Sequence, residues 1–548
     1  MKLGKTLLLG SGVALVATGG AQAADLPTKK AAPVEYVRIC AVHGPGFFYI
    51  PGSDTCIRIS GRTRFEYVVS RAFDKSTDPS SFFAVGRIAL DARTQTDWGL
   101  LRAYIRVDMS RRSGNNWFGS GSAARGGTAF GFGGGVGGVA SGFPSFAGQD
   151  TQGSRLQTGL GISDAFVQFG PLTAGRTQSY FDFYAGNDTW FGITDSNVVT
   201  QTLAYTYTFG SGFSATLAIE DPKERQLNPI AGIAPVGAGG INPIVATPTF
   251  TSIYPFAFSP FAAPALVPGG ISYIQREAVP DVVGVLRVDQ DWGAAQLSGA
   301  YHRISTSGST VVNLQPAQVN GVLTGGVVLN PAVPTVAGGY GQVDGNGWAI
   351  QGGVKINLPY FAAGDTLYLQ AAYSKGNISY VNSDFPSTFT GLANSIGGTT
   401  FSTYDGVVGP TGRLTLTPAY SAMASYVHYW TPTIRQGLFG GLQHVSYSDS
   451  IRNAAGFAQG AACPTCVGSI AVNGTFYNPF NPNYVGGTQY NLGSNVIWSP
   501  IKDLDIGVEM MYVRNQLAHR VFDVNRGNGT LIRDEDELYG RLRISRDF

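Results

Sequence analysis

Two segments at opposite ends of this 548-residue chain limit what it can fold into. Residues 538–548 place Leu538, Leu542, Ile544 and Phe548 on one side of a period-two alternation and Arg541, Arg543 and Ser545 on the other. Residues 57–67 repeat the pattern: Ile57, Ile59, Gly61, Thr63, Phe65 and Tyr67 alternate with Arg58, Ser60, Arg62, Arg64 and Glu66. A terminus frays unless something ties it down. Pairing these two strands with each other ties both and removes both free edges, which is what a closed transmembrane barrel requires. Turning residues 57–67 over would put three arginines into hydrocarbon at roughly 2–4 kcal/mol each near the midplane. The basic face therefore needs an aqueous lumen.

The same alternation recurs along the chain, near residues 56–68, 82–96, 100–112, 159–169, 172–178, 200–209, 213–220, 280–290, 294–304, 347–358, 365–374, 417–429, 435–447, 487–498, 504–514 and 537–548. These segments predict an all-β, antiparallel sixteen-stranded barrel over residues 56–548. Connections alternate between short turns, such as Asp97-Trp98-Gly99 and Asp291-Trp292-Gly293, and long loops near 69–81, 113–158, 179–199, 221–279, 305–346, 375–416, 448–486 and 515–536. Both termini then fall on the short-turn side, which is periplasmic in outer-membrane barrels. Trp98, Trp292, Trp430 and Trp498 sit in or beside those turns, where an indole is half in lipid and half in water.

Residues 1–23 have the form of a signal peptide: Lys2 and Lys5, an apolar run over 6–18, and Ala21-Gln22-Ala23 before the cut. Without them 35 basic residues face 35 acidic ones, and nothing points to nucleic acid as a partner. The glycine content of 75, with 12% aromatic and 13% charged residues, suits strands and turns. No apolar run is long enough for a membrane helix. Residues 24–55 form a short N-terminal periplasmic segment, too small for a plug domain.

On the first three strands the polar face carries Arg58, Arg62 and Arg64, then Arg87, Asp91 and Arg93, then Arg102, Tyr104, Arg106 and Asp108. Neighbouring strands make this one positive sector. The third long loop supplies Asp182, Asp188 and Asp195 with Trp190. Folded inward it is a constriction, acidic against a basic wall, with a field across the narrow point; folded outward it is a solvated loop.

Residues 34–61, 175–184, 347–364, 365–373 and 499–512 are similar to segments of the sixteen-stranded general porins of alphaproteobacteria, and the terminal Phe548 matches their outer-membrane assembly signal. The resemblance covers nearly all of the chain after residue 23. It implies a homotrimer of water-filled pores in contact with outer-membrane lipid and lipopolysaccharide, each narrowed by an inward-folded third loop. Residues 175–184 then enter the lumen, which puts Arg176 with the wall and the constriction. Cys40 and Cys56 enclose fifteen residues, a loop whose closure stabilises by about 3 kcal/mol, and the resemblance supports that pairing. Cys463 and Cys466 lie in a loop without a βαβ pattern or a second pair for zinc, so a local disulfide is the reading there.

The expected function is a passive outer-membrane channel for small hydrophilic solutes and ions, with no cofactor and no metal. Its rivals are a channel specific for a sugar or phosphorylated solute, a barrel enzyme, and an adhesin. The glycine run at 133–138 fits a dinucleotide pattern only by composition. The five histidines, His43, His302, His428, His444 and His519, show no catalytic partner by spacing.

Overall fold

The computed structural model describes residues 38–70, 80–113, 150–152, 156–186, 188–226, 230–233, 270–310, 314–319, 322–329, 342–383, 403–409, 411–462, 468–480, 484–522 and 531–548. Cys463 and Cys466 lie outside the described residues. Sixteen strands build the barrel: β1 Cys56–Ser70, β2 Ser80–Thr96, β3 Gly99–Ser113, β4 Leu156–Phe169, β5 Leu172–Gln178, β6 Val199–Gly210, β7 Phe213–Glu220 and β8 Asp281–Gln290. The second half is β9 Gly293–Thr310, β10 Asp344–Asn357, β11 Thr366–Lys375, β12 Pro418–Thr431, β13 Ile434–Val445, β14 Gly487–Ile501, β15 Leu504–Phe522 and β16 Leu531–Asp547. Each pairs antiparallel with the next, and β16 pairs with β1 from Arg62 opposite Asp547 to Ser70 opposite Tyr539. The barrel closes as the two ends of the sequence require.

Alternation sets the faces. On β1, Ile59, Phe65 and Val69 are exposed outward while Glu66 and Val68 are buried inward; on β16, Leu538, Leu542 and Ile544 point out and Tyr539 and Arg541 point in. The terminal residue completes the seam: Phe548 and Gly61 exchange backbone hydrogen bonds of 2.9 and 3.1 Å. The Phe548 ring lies where a Cβ on residue 61 would be, so only glycine fits. Trp98, Trp292, Trp430 and Trp498 are all exposed beside short turns. The two-residue turn between β6 and β7 has positive φ at both Ser211 (50°) and Gly212 (75°), which matches the twist of the strands it joins.

Several strands run further than the sequence pattern indicates. β9 continues to Thr310, β15 to Phe522, and β16 begins at Leu531. Beyond the lipid neither face must be apolar, so alternation stops while hydrogen bonding goes on. The long loops also carry structure that the pattern does not signal. Ile230–Ile233 pairs with Gly270–Gln275 and lies parallel to Gly406–Val408, which pairs with Leu414–Leu416. The helix Asp449–Ala462 packs on this small sheet through Ile451 and Ala455, against Ala231, Ile233 and Val407. No described helix is long and apolar enough to cross a membrane.

Candidate channel lumen and constriction

The basic face of β1–β3 is a network rather than a row of bare charges. Asp91, 2% exposed, takes Arg93 at 2.7 Å and Arg102 at 2.9 Å, with Arg58 at 3.9 Å. Asp108 receives Arg87 through two bonds of 2.6 and 3.0 Å, and also the Ser163 hydroxyl. Arg106 reaches Asp164 at 2.8 Å, Arg62 donates to Asp547 at 2.9 Å, and Glu66 gathers Arg64, Arg541 and Arg543 at 3.0, 3.2 and 2.7 Å. In this cluster nine arginines share five carboxylates, so it stays positive. Arg102 also lies over the rings of Tyr104 and Phe166, 5.1 and 5.2 Å from their centroids.

The third loop, residues 179–198, folds inward and is fastened to the opposite half of the wall. Its base closes with Ser179 N–H donating to the Val198 carbonyl at 2.8 Å. Gln296 on β9 donates to the Asp182 carbonyl (3.1 Å), Gln351 on β10 to that of Phe181 (2.9 Å), and Gln370 on β11 accepts from Tyr184 N–H (2.9 Å). Ser425 on β12 donates to the Asp188 carboxylate (3.1 Å) and Asn495 on β14 to its carbonyl (2.8 Å). Glu509 on β15 accepts the N–H groups of Trp190 and Phe191 at 2.8 and 2.6 Å, and Arg541 on β16 donates to the Trp190 carbonyl at 2.7 Å. Glycines thin the wall beneath the loop: a Cβ at Gly353 would overlap the Phe183 ring, one at Gly441 the Thr194 hydroxyl, and one at Gly507 the Trp190 ring.

The acidic loop does not present all its charges to the passage. Asp182 and Asp195 are buried. Asp182 is salt-bridged at 3.0 Å to Arg225, a residue of the next long loop with 1% exposure, and accepts Val198 N–H at 2.7 Å. Burial works against the Arg225 charge, but Asp182 and Glu220 outweigh it and hold its pKa above the ordinary value. Asp188 is only half-buried; burial raises its carboxyl above the usual range against the opposing pull of the Ser425 hydrogen bond. Arg176 stands apart from the cluster. Register puts it opposite Ala165 and Gln201, on the face of Leu172 and Leu203, and it binds Glu224 at 2.6 Å and the Ile162 carbonyl at 3.0 Å. Strand β5 is seven residues long and carries too few apolar side chains for alternation to fix that face.

The disulfide between Cys40 and Cys56 is present, with a Cα–Cα distance of 6.0 Å. A family model described as "Porin subfamily" matches residues 25–539. The chain belongs to the Porin subfamily. It is 29% identical over 381 residues to Porin Omp2b of Brucella suis and 29% identical over 388 residues to Porin Omp2a of Brucella melitensis, in each case over 67% of this chain and 84% of the relative. Among solved structures, the outer membrane channel DcaP of Acinetobacter baumannii superposes with a TM-score of 0.50 at 13% identity. That match covers 91% of this chain and 99% of the other, a likeness of fold.

The protein is thus an outer-membrane porin, a passive channel and not an enzyme. Two of its histidines have carboxylate partners that spacing did not reveal. His302 meets Asp281 at 2.7 Å, with Tyr380 donating to the same carboxylate at 2.6 Å, and all three side chains are buried. His428 meets Asp365 at 2.7 Å beside a short turn. The residues sequence reasoning missed are the inward Gln296, Gln351, Gln370, Asn495 and Glu509, together with Gly353, Gly441 and Gly507. Polar amides alternating with outward apolar residues mark an inner face, but only the fold shows that a loop is what they bind.

Proposed function

We propose that ions and small hydrophilic solutes pass between the arginine cluster of β1–β4 and the free edge of the third loop, and that this gap sets size and charge preference. The observation that carries the reading is the anchorage of residues 179–198 along β9–β16, which leaves the arginine-bearing half of the lumen to water. Arg58, Arg62, Arg64, Arg87, Arg93, Arg102, Tyr104 and Arg106 then line the passage. Asp188 lies at its loop side, and Asp182 and Asp195 hold the loop in shape. With two of the three loop aspartates buried, the positive wall dominates and the porin prefers anions. Residues 1–23 direct export and are removed, residues 24–55 stay on the periplasmic side, Phe548 serves as the assembly signal, and three copies assemble among lipid and lipopolysaccharide.

Single-channel current of the purified porin in a planar bilayer under a salt gradient tests this. Ohmic steps grouped in threes, with a reversal potential of the anion-preferring sign, are expected. Steps of cation-preferring sign would remove the arginine wall from its role. Small steps blocked by one added sugar or phosphate ester would favour a specific channel instead.

A further inference from the structure

The segment before β1 forms part of the inner wall. Tyr49 N–H donates to the Arg38 carbonyl at 2.8 Å, Cys40 N–H to the Phe47 carbonyl at 2.9 Å, and Phe48 and Tyr49 pair with Ile57 and Cys56. This small sheet continues the seam below Gly61, where the chain end of β16 leaves the edge of β1 uncovered. The Cys40–Cys56 disulfide staples it. Tyr49 lies opposite the inward-facing Cys56, and Phe47, two residues earlier, shares that face.

Phe47 is 2% exposed, and its ring lies over two arginines of the lumen cluster: Arg58 at 5.0 Å and Arg93 at 4.8 Å. Both also contact Asp91. Each guanidinium therefore has a carboxylate on one side and an aromatic face on another, whereas the neighbouring Arg87 and Arg106 have carboxylates. An aromatic face attracts a cation through its quadrupole and takes the place that water or a passing anion would occupy.

We propose that Phe47, held by the stapled loop, is a selectivity-determining residue at the periplasmic mouth: it shields one face of Arg58 and one of Arg93, whose other faces stay open to water, and so lowers the channel's preference for anions. This rests on the diffusion-channel reading above. The loop's disulfide acts through Phe47, by holding the ring over the two arginines, and its position beside the seam makes the periplasmic mouth the place where the cover operates.

The test is the reversal potential of the full-length porin in a potassium chloride gradient for wild type, Phe47→Ala, Phe47→Leu and the double variant Cys40→Ser with Cys56→Ser. Phe47→Ala should raise the anion-to-cation permeability ratio by about twofold, the scale expected when two partly screened charges open to a narrow aqueous path. Phe47→Leu, which keeps the cover and loses the ring, should shift less in the same direction. The cysteine pair variant should also shift towards anions. Adding Arg58→Gln and Arg93→Gln to Phe47→Ala should abolish the rise. Wild-type selectivity in Phe47→Ala, or a shift towards cations, overturns the proposal. If Phe47→Ala does not yield a heat-modifiable barrel, the cysteine pair variant decides by the same readout: a shift towards anions supports the proposal and none overturns it. A wild-type protein that shows no steps at all would count against the channel reading itself.

Discussion

A carboxylate holds three guanidiniums without closing the lumen only where water still reaches their far sides. Asp91 is 2% exposed, while Arg58, Arg93 and Arg102 keep 40, 22 and 23% of their side-chain surface. Ion pairs this wet contribute little stability each, so the value of Asp91 lies in letting adjacent arginines coexist. Asp91→Asn should raise the anion preference in a reversal-potential measurement. Its cost in stability should be about 1–3 kcal/mol, read from urea titration of the folded barrel in detergent; unchanged selectivity would place the ladder outside the conducting path. These arginines are legible in the sequence because alternation against Ile57, Ile59 and Phe65 leaves them no other side. Arg225 is not, since it sits in a loop with no periodicity and its partner Asp182 comes 43 residues earlier. Arg225→Met leaves Asp182 buried without its cation, a loss of about 3–5 kcal/mol when a buried pair is broken one-sidedly. Because the pair ties the base of the third loop, the expected outcome is a noisier open-channel current with the barrel still heat-modifiable. A quiet current would show that the wall contacts alone hold the loop.

At the scale of elements, the third loop and the β1–β16 seam differ in how far sequence alone reaches. The seam is written in one strand pattern repeated at both ends. It follows that residues 57–67 and 538–548 pair, although the exact partner of Phe548 depends on Gly61, whose missing side chain gives no periodic signal. Gly61→Val puts a branched side chain where the Phe548 ring now lies. It should lower the temperature at which the detergent-solubilised barrel loses its heat-modifiable form, with strand content by circular dichroism little changed below that temperature. The same melting temperature as wild type would show that the ring can swing out at no cost. The third loop is harder to read. Its aspartates and aromatics suit either a solvated loop or an inward one, because the matching surface is spread over Gln296, Gln351, Gln370, Asn495 and Glu509, more than a hundred residues away. Only closure of the barrel gathers those side chains on one wall, with Gly353, Gly441 and Gly507 recessed between them. The sequence leads one to expect opposed charges at the constriction; the arginines stand on the inner face of β1–β3, while on the loop side Asp182 and Asp195 are buried in packing.

For the whole molecule, two assemblies share one chain under different rules. In the barrel, alternation against lipid fixes strand identity, face and order, and sixteen strands were legible because each misplaced face carries a cost of several kcal/mol. Above it, Ile230–Ile233, Gly270–Gln275, Gly406–Val408, Leu414–Leu416 and the helix Asp449–Ala462 form a small core of their own, joined to the wall where Gly270–Gln275 pairs with β9, in which Ile451 is 4% exposed among Ala231, Ile233, Val407 and Tyr484. Its strands are three to six residues long and drawn from separate loops, too short and too scattered for any local pattern to announce. The two assemblies should therefore fail separately. Ile451→Asp buries a carboxylate in that small core and should cost it several kcal/mol, enough to open the loops to added protease. The sixteen-stranded wall, whose stability rests on its own ladders, should keep its heat-modifiable migration and its conductance. If the variant instead lost the barrel itself, the loop core would have to be a condition for closure, and the end strands would decide the fold only together with the loops.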